Sequence, residues 1–142
     1  MERPIKVLFV CTGNSARSQM AEGFTRHYGQ GRVEALSAGM EPSRLNPYAV
    51  KVMREKGIDI SRQYSKAFDE TLARQMDMVV TVCGHANERC PILPPDVKRL
   101  HWPLEDPAAA KGTDSEVLAK VREIRDQIEE RIRDLIQAVM CT

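Results

Sequence analysis

The sequence predicts an α/β fold with three layers, in which a parallel sheet of about four strands lies between helices on both faces. Strand-like apolar runs alternate with helical segments along the chain, as expected of βαβ units. Residues 78–82 form an apolar run typical of a strand that is buried on both faces. With 142 residues the chain is long enough for a substantial core, and we expect residues 1–142 to form a single domain.

The first strand and the first helix flank a short polar segment. Residues 5–10 are mostly apolar and predict a strand, whereas residues 18–28 carry apolar side chains at helical spacing and predict a helix. Gly29-Gln30-Gly31 is a typical helix end. Residues 33–38 alternate in polarity, which predicts the second strand.

The second half of the chain continues the alternation. Asn46-Pro47 predicts a helix start that ends by Gly57, because Asn is a good N-cap and Pro fits the first helical position. Residues 69–75 predict a short helix before the third strand at 78–82, and residues 97–102 predict a fourth strand. A long amphipathic helix begins at Asp114 or Ser115.

The segment between the first strand and the first helix has the pattern of an oxyanion-binding loop. It places Cys11 at the end of the strand and Arg17 six positions later, at the start of the helix. Successive backbone N–H groups and the helix N-terminus can surround one dianion, and a guanidinium can hold two of its oxygens. The predicted oxyanion-binding residues are Thr12, Gly13, Asn14, Ser15, Ala16 and Arg17.

The same positive field would stabilise a thiolate at Cys11 and make it a nucleophile. The Ser18 hydroxyl can donate to that thiolate, and Gly13 and Asn14 both tolerate a positive φ in a tight loop. The alternative is that Cys11 is only a buried residue at a strand end and Arg17 only a surface charge. A Walker-type nucleotide loop is excluded because the Gly-Lys-Ser/Thr sequence is missing.

Charge and composition limit the classes of partner that the protein is expected to bind and the cellular compartment in which we expect it. The chain has 21 basic and 20 acidic residues, so nothing indicates binding to nucleic acid or to an anionic membrane. No signal-peptide pattern and no run of membrane-spanning length is present. We therefore expect a cytoplasmic protein, and a monomer. Four cysteines in such a protein indicate reactive, redox-active or metal-binding thiols rather than structural disulfides.

Three reactive groups are expected at one edge of the sheet. Cys11, Cys83 and Asp106 follow the first, third and fourth strands, and ligands of such folds bind beyond the carboxyl ends of the strands. Asp106 could act as a general acid or base. The alternatives are that Asp106-Pro107 is only a turn, or that Glu105 is the acid.

Cys83 and Cys90 leave three alternatives open. They could form a disulfide, although a regular helix would separate them by roughly 10 Å, so that the segment would have to loop or unwind. They could bind zinc together with His85 or His101, although the spacing fits no common zinc pattern. They could also be buried and inert. Cys141 is expected to be an incidental exposed thiol.

Taken together, these motifs resemble those of the thioredoxin-coupled arsenate reductases, which share the fold of the low-molecular-weight protein tyrosine phosphatases. The Cys83/Cys90 pair is typical of the reductases, and Ala108-Ala109-Ala110 stands where the phosphatases carry tyrosines. The matching stretches are residues 11–15 and 17–23, Ser37-Ala38-Gly39, Asn46-Pro47, Asp59-Ile60-Ser61, residues 79–81, Cys90-Pro91, Pro94-Pro95, His101-Trp102 and Asp106-Pro107.

The resemblance implies that arsenate is reduced to arsenite for arsenic detoxification, with phosphate and sulfate as competing oxyanions. Cys11 would attack arsenic with help from Asp106, Cys83 would then attack Cys11, and Cys90 would finally attack Cys83. His85 or Arg89 could favour the Cys83 thiolate. The Cys83–Cys90 disulfide would be reduced by thioredoxin, and no cofactor or metal is implied.

Two departures from the family pattern stand out. Many relatives carry a second loop cysteine where this chain has Ala16. Some members bind potassium through residues that match Asn14, Glu22 and Ser37, together with an aspartate that matches Lys66. We expect the Lys66 ammonium to replace that ion and activity to be insensitive to potassium.

Two other functions remain as alternatives. A phosphomonoesterase would need only Cys11, Arg17 and Asp106. A non-catalytic oxyanion or thiol-redox sensor is the third reading, and it would give the acid at Asp106 no purpose.

Overall fold

The computed structural model describes residues 3–140 and contains one four-stranded sheet, as predicted. The strands are β1 (Ile5–Cys11), β2 (Val33–Gly39), β3 (Met78–Thr81) and β4 (Lys98–His101). The helices are α1 (Arg17–Gly29), α2 (Pro47–Arg54), α3 (Glu70–Ala73), α4 (Gly84–Arg89) and α5 (Asp114–Met140), with a 3-10 turn at Pro107–Ala109.

The sheet is parallel and lies in the middle of the three-layer α/β/α arrangement. Its strand order is β2-β1-β3-β4. Residues 7–10 of β1 and residues 79–80 of β3 are fully buried, so both faces of these central strands are covered by other elements. Helix α1 packs against α5, α2 and the β1–β2 half of the sheet, and α4 packs against β1 and β3.

Most sequence-predicted elements are present, with shifted ends. Asn46 caps α2 as predicted, its side chain accepting from the N–H groups of Tyr48 and Ala49. Helix α2 ends at Arg54, before the turn at Gly57. The segment between Cys83 and Cys90, for which the sequence predicted no element, is the short helix α4.

The strand order determines where the site lies. The chain leaves β1 towards β2 on one side and leaves β3 towards β4 on the other side, so the carboxyl ends of β1 and β3 flank the crevice in which such sheets bind ligands. Val10 pairs with Thr81, and Val82 donates to the carbonyl of Val10. The residues that follow β3 therefore lie beside Cys11. None of the helices in the described residues is long and apolar enough to cross a membrane.

Candidate active site

The segment from Cys11 to Ser18 folds into a loop around the Cys11 sulfur. The backbone N–H of Asn14 donates to Cys11 Sγ at 3.1 Å, and Ser18 Oγ lies 2.8 Å from the same sulfur. A cavity of about 180 Å³ opens above them. Its lining residues are Cys11, Thr12, Gly13, Ser15, Ala16, Arg17, Ser43, Asn46, Asp106 and Ala108.

Asn14 holds the loop in its tight conformation. It takes the left-handed region with φ 49°, which an asparagine tolerates better than most residues. Its backbone carbonyl accepts from Gln19 Nε2 at 2.9 Å and from Ser65 Oγ at 2.7 Å. Of the two loop residues that tolerate a positive φ, Asn14 adopts one and Gly13 does not.

The side chain of Asn14 also sets the direction of a hydrogen bond to the Cys11 sulfur. Its Oδ1 accepts from the Lys66 N–H at 2.8 Å, which fixes the orientation of the amide, and its Nδ2 donates to Ser18 Oγ at 2.8 Å. Because Ser18 Oγ accepts from Asn14, its own hydrogen is available for Cys11 Sγ. A thiolate at Cys11 would therefore receive two hydrogen bonds, from Ser18 and from the Asn14 N–H.

Gly39, at the end of β2, allows the loop to pack directly on the sheet. A Cβ at this position would lie 2.7 Å from both the Asn14 nitrogen and the Thr12 oxygen. Such distances are shorter than any non-bonded contact permits. A side chain at position 39 would therefore displace the loop.

Arg17 begins α1 and is 8% exposed. Its Nη1 donates to the Leu104 carbonyl at 3.2 Å, and its Nη2 lies 3.7 Å from Asp106 Oδ1. No side chain in the described part of the chain caps α1, so the first N–H groups of this helix remain available to an anion.

Of the two acidic candidates, Asp106 lines the cavity and Glu105 does not. Asp106 Oδ1 accepts from the Ala108 N–H at 2.9 Å, and the side chain is about half exposed. Glu105 instead forms an ion pair with Lys120 at 2.9 Å. This geometry favours Asp106 as the acid.

Cys83 lies beside the loop, although 71 positions separate it from Thr12. Its sulfur is 3.2 Å from the Thr12 hydroxyl and accepts from the Ala86 N–H at 3.4 Å, at the N-terminal end of α4. Cys83 is 6% exposed and Cys11 is 2% exposed. A thiolate at Cys83 would thus be stabilised by a hydroxyl and by the start of a helix.

Cys90 lies at the opposite end of α4 and is a free thiol, like Cys11 and Cys83. Burial raises the pKa of Cys90, and the nearby Arg99 guanidinium offsets part of that effect. Seven residues of helical rise separate Cys83 from Cys90 by roughly 10 Å. Cys141, expected to be an incidental thiol, lies outside the described residues.

The two histidines of the zinc hypothesis have other partners. His85 Nε2 lies 3.3 Å from Arg89 Nη1, and His101 Nδ1 lies 2.8 Å from Thr81 Oγ1. Within residues 3–140, no group of three or more His, Cys, Asp or Glu side chains could hold a metal ion.

Lys66 occupies the position that the resemblance links to potassium. Its Nζ donates to the Tyr64 carbonyl at 2.7 Å and to Ser37 Oγ at 3.4 Å, and it lies 3.8 Å from Glu22 Oε1. Burial lowers the pKa of Lys66, and Glu22 opposes that shift. Glu22 is 5% exposed and also pairs with Arg26 at 2.6 Å.

Several contacts of the site were not predicted from the sequence. These are the Thr12 hydroxyl beside Cys83, the Leu104 carbonyl that receives Arg17, and the contacts of Gln19 and Ser65 with the Asn14 carbonyl. Each joins residues whose types are common in loops and helices. No local pattern could have identified them.

Comparison with known proteins identifies the family of this chain. The family model "Low molecular weight phosphotyrosine protein phosphatase" matches residues 6–141. An arsenate reductase of Bacillus subtilis (strain 168) is 47% identical over 137 residues, which are 96% of this chain and 98% of that protein.

Two solved structures share the fold over most of this chain. One is an arsenate reductase in the phosphate binding state, with TM-score 0.77 and 39% identity, covering 94% of this chain and 98% of that chain. The other is a thioredoxin-dependent arsenate reductase of Corynebacterium glutamicum, with TM-score 0.81 and 32% identity, covering 99% of this chain and 64% of that chain. The chain therefore belongs to the low-molecular-weight phosphotyrosine protein phosphatase family, and it is similar to arsenate reductases of that fold.

Proposed function

We propose that this protein reduces arsenate to arsenite through a relay of Cys11, Cys83 and Cys90 that is recycled by thioredoxin. The observation that carries the proposal is the position of Cys83. Its sulfur lies 3.2 Å from the hydroxyl of Thr12, the residue next to the Cys11 nucleophile. A phosphatase would have no use for a second buried thiol at this point.

In the first step, arsenate binds the loop and the Cys11 thiolate attacks arsenic. An S–As bond forms and an As–O bond breaks, and Asp106 supplies the proton with which the departing oxygen leaves as water. Arg17 and the N–H groups of α1 stabilise the remaining oxygens. Arsenic stays in oxidation state five.

In the second step, the Cys83 thiolate attacks the sulfur of Cys11. The S–As bond breaks and its electron pair stays on arsenic, which leaves as arsenite in oxidation state three. A Cys11–Cys83 disulfide results. A phosphocysteine cannot follow this route, because phosphorus is not reduced under these conditions and its adduct is hydrolysed instead.

In the third step, the Cys90 thiolate attacks Cys83, and Cys11 leaves as a thiolate. The sulfurs must come into bonding distance, so α4 has to unwind and would expose the new Cys83–Cys90 disulfide. Thioredoxin then supplies two electrons and two protons. The net reaction converts arsenate and two thiols into arsenite, water and a disulfide.

Hydrolysis of phosphomonoesters is the second candidate function. The loop, Arg17 and Asp106 suffice for it, and the family model favours it. The cavity of about 180 Å³ suits a small oxyanion, and Ala108 offers no ring on which an aryl substrate could stack. We therefore expect phosphatase activity to be residual.

The deciding experiment is steady-state NADPH oxidation with thioredoxin and thioredoxin reductase, before and after addition of arsenate. Sustained consumption that depends on arsenate would support the relay. If NADPH is not consumed but an aryl phosphate is hydrolysed, the protein is a phosphatase and the proposal fails.

A further inference from the structure

The side chain of Arg99 on β4 holds the C-terminal end of α4. Its Nη2 donates to the Asn87 carbonyl at 2.6 Å and to Asn87 Oδ1 at 3.2 Å. Its Nη1 donates to the carbonyls of Pro91, at 3.2 Å, and Cys90, at 3.4 Å. One guanidinium therefore satisfies three backbone carbonyls on both sides of the Cys90 thiol, where its positive charge also suits the helix C-terminus.

These contacts are incompatible with a disulfide between Cys83 and Cys90. A disulfide needs Cα atoms within about 7 Å, whereas α4 separates the two residues by roughly 10 Å. Cys83 directly follows Val82, whose N–H is hydrogen-bonded to β1, so the Cys90 end of α4 is the one that must move by several ångströms when the bond forms. Four hydrogen bonds that converge on one planar group cannot all survive that movement.

From this geometry we infer that Arg99 is a positioning residue for the thiol relay, holding Cys90 at the far end of α4 in the dithiol form and releasing it when the disulfide forms. The inference rests on the proposed function. Because Arg99 stabilises the dithiol form more than the disulfide form, it makes the disulfide easier to reduce. The arrangement thus favours electron transfer from thioredoxin to this protein.

Other contacts of α4 are weaker candidates for this role. Thr81 Oγ1 donates to Asn87 Oδ1 at 3.3 Å, which is a single neutral hydrogen bond. Arg89 pairs with Glu41 at 3.2 Å, but both side chains are at least half exposed, and such pairs contribute little. Only Arg99, among the described residues, contacts carbonyls on both sides of the thiol.

The test measures the redox equilibrium of the Cys83–Cys90 pair in the full chain with Cys11→Ser and Cys141→Ser, which removes the other thiols. Oxidised dithiothreitol takes two electrons and two protons from the pair, and alkylation followed by mass spectrometry gives the fraction of disulfide. Arg99→Gln should raise the equilibrium constant for disulfide formation about tenfold, which is a potential about 30 mV more negative.

Two variants distinguish the effect of the Arg99 hydrogen bonds from the effect of its positive charge alone. Arg99→Lys keeps the charge but loses the planar fork, so it should also favour the disulfide several-fold. Lys98→Gln removes the same charge from the neighbouring exposed residue, whose side chain alternates to the other side of β4, and should stay within about twofold of the parent. Hydrogen exchange at the Asn87 and Cys90 amides in the dithiol form should be faster with Arg99→Gln.

Each of three results would overturn the inference. The equilibrium constant for disulfide formation could be unchanged in Arg99→Gln, could shift equally in Lys98→Gln, or could remain at the parent's value in Arg99→Lys. If the parent forms no Cys83–Cys90 disulfide at all, the relay itself is wrong and the inference falls with it. A parent that forms the disulfide normally while Arg99→Gln has no effect would leave the proposed function intact and reject only the role of Arg99.

Discussion

The hydroxyl of Thr12 lies 3.2 Å from the sulfur of Cys83, across 71 positions of the chain. This contact connects the oxyanion loop to the second cysteine of the proposed relay. Thr12 can serve both steps, because its backbone N–H belongs to the loop and its side chain reaches the thiol that attacks next.

Replacing Thr12 with valine should therefore affect reduction and phosphate hydrolysis differently. Valine keeps the shape but removes the hydroxyl, so arsenate turnover with thioredoxin should fall about tenfold, since one hydrogen bond to a thiolate is lost. Hydrolysis of p-nitrophenyl phosphate by the same variant should change by less than about twofold, because Cys83 has no part in it. Thr12→Ser is the control and should retain both activities, and an equal loss of both activities in the valine variant would contradict the contact's role.

Asp106→Asn should lower both activities by about a hundredfold, since both reactions need a proton for the departing oxygen. Glu105→Gln is the matched control, because Glu105 pairs with Lys120 outside the cavity. Single-turnover rates with arsenate and with an aryl phosphate measure the effect. A larger loss in the Glu105 variant would reverse the assignment of the acid.

Cys90→Ser should stop reduction after about one turnover, because Cys11 stays bound in a disulfide with Cys83. Arsenite release in a burst experiment measures this limit, and mass mapping should identify the Cys11–Cys83 bond. Phosphatase activity before addition of arsenate should match the parent. Sustained turnover of the variant with thioredoxin would show that Cys90 lies outside the relay.

Arsenate turnover should be the same in potassium and sodium chloride at equal ionic strength. The Lys66 ammonium lies 3.8 Å from Glu22 and donates to Ser37, so a positive charge already occupies the place that the resemblance assigns to potassium. Lys66→Ala should lower the melting temperature, because within residues 3–140 it leaves the buried Glu22 with Arg26 alone as a charged partner. A several-fold stimulation of the parent by potassium would contradict this prediction.

Glu55 should contribute stability that depends on pH. Hydrogen bonds from Arg122 and Arg125 lower its pKa from 4.5 to about 2. A carboxyl with a lowered folded-state pKa stabilises the protein above its unfolded value and loses that effect as the pH falls through its folded value. Glu55→Gln should therefore lower the melting temperature at pH 7, and the difference should shrink between pH 4.5 and 2. Glu130→Gln, an exposed change on α5, should show no such trend.

The predicted parallel sheet, its helices and the family were confirmed. The loop residues Thr12 to Arg17 line one cavity with Cys11, except for Asn14, which is buried beneath the loop. The helical state of residues 84–89 was missed. Its sequence is polar and includes Gly84, so local propensity was weak, and the helix depends on its packing against β1 and β3.

The sequence alone was enough to predict the loop from Cys11 to Arg17 as an oxyanion site, because that prediction depends on neighbouring residues: a strand end, a cysteine, backbone N–H groups and an arginine at a helix start. Only the tertiary structure decided the contact of Thr12 with Cys83, the position of Asp106 rather than Glu105 at the cavity, and the hydrogen bonds of Arg99 to the end of α4. These relationships join residues from different strands and loops, and their distances are set by the order β2-β1-β3-β4 and by side-chain packing, which no local pattern specifies.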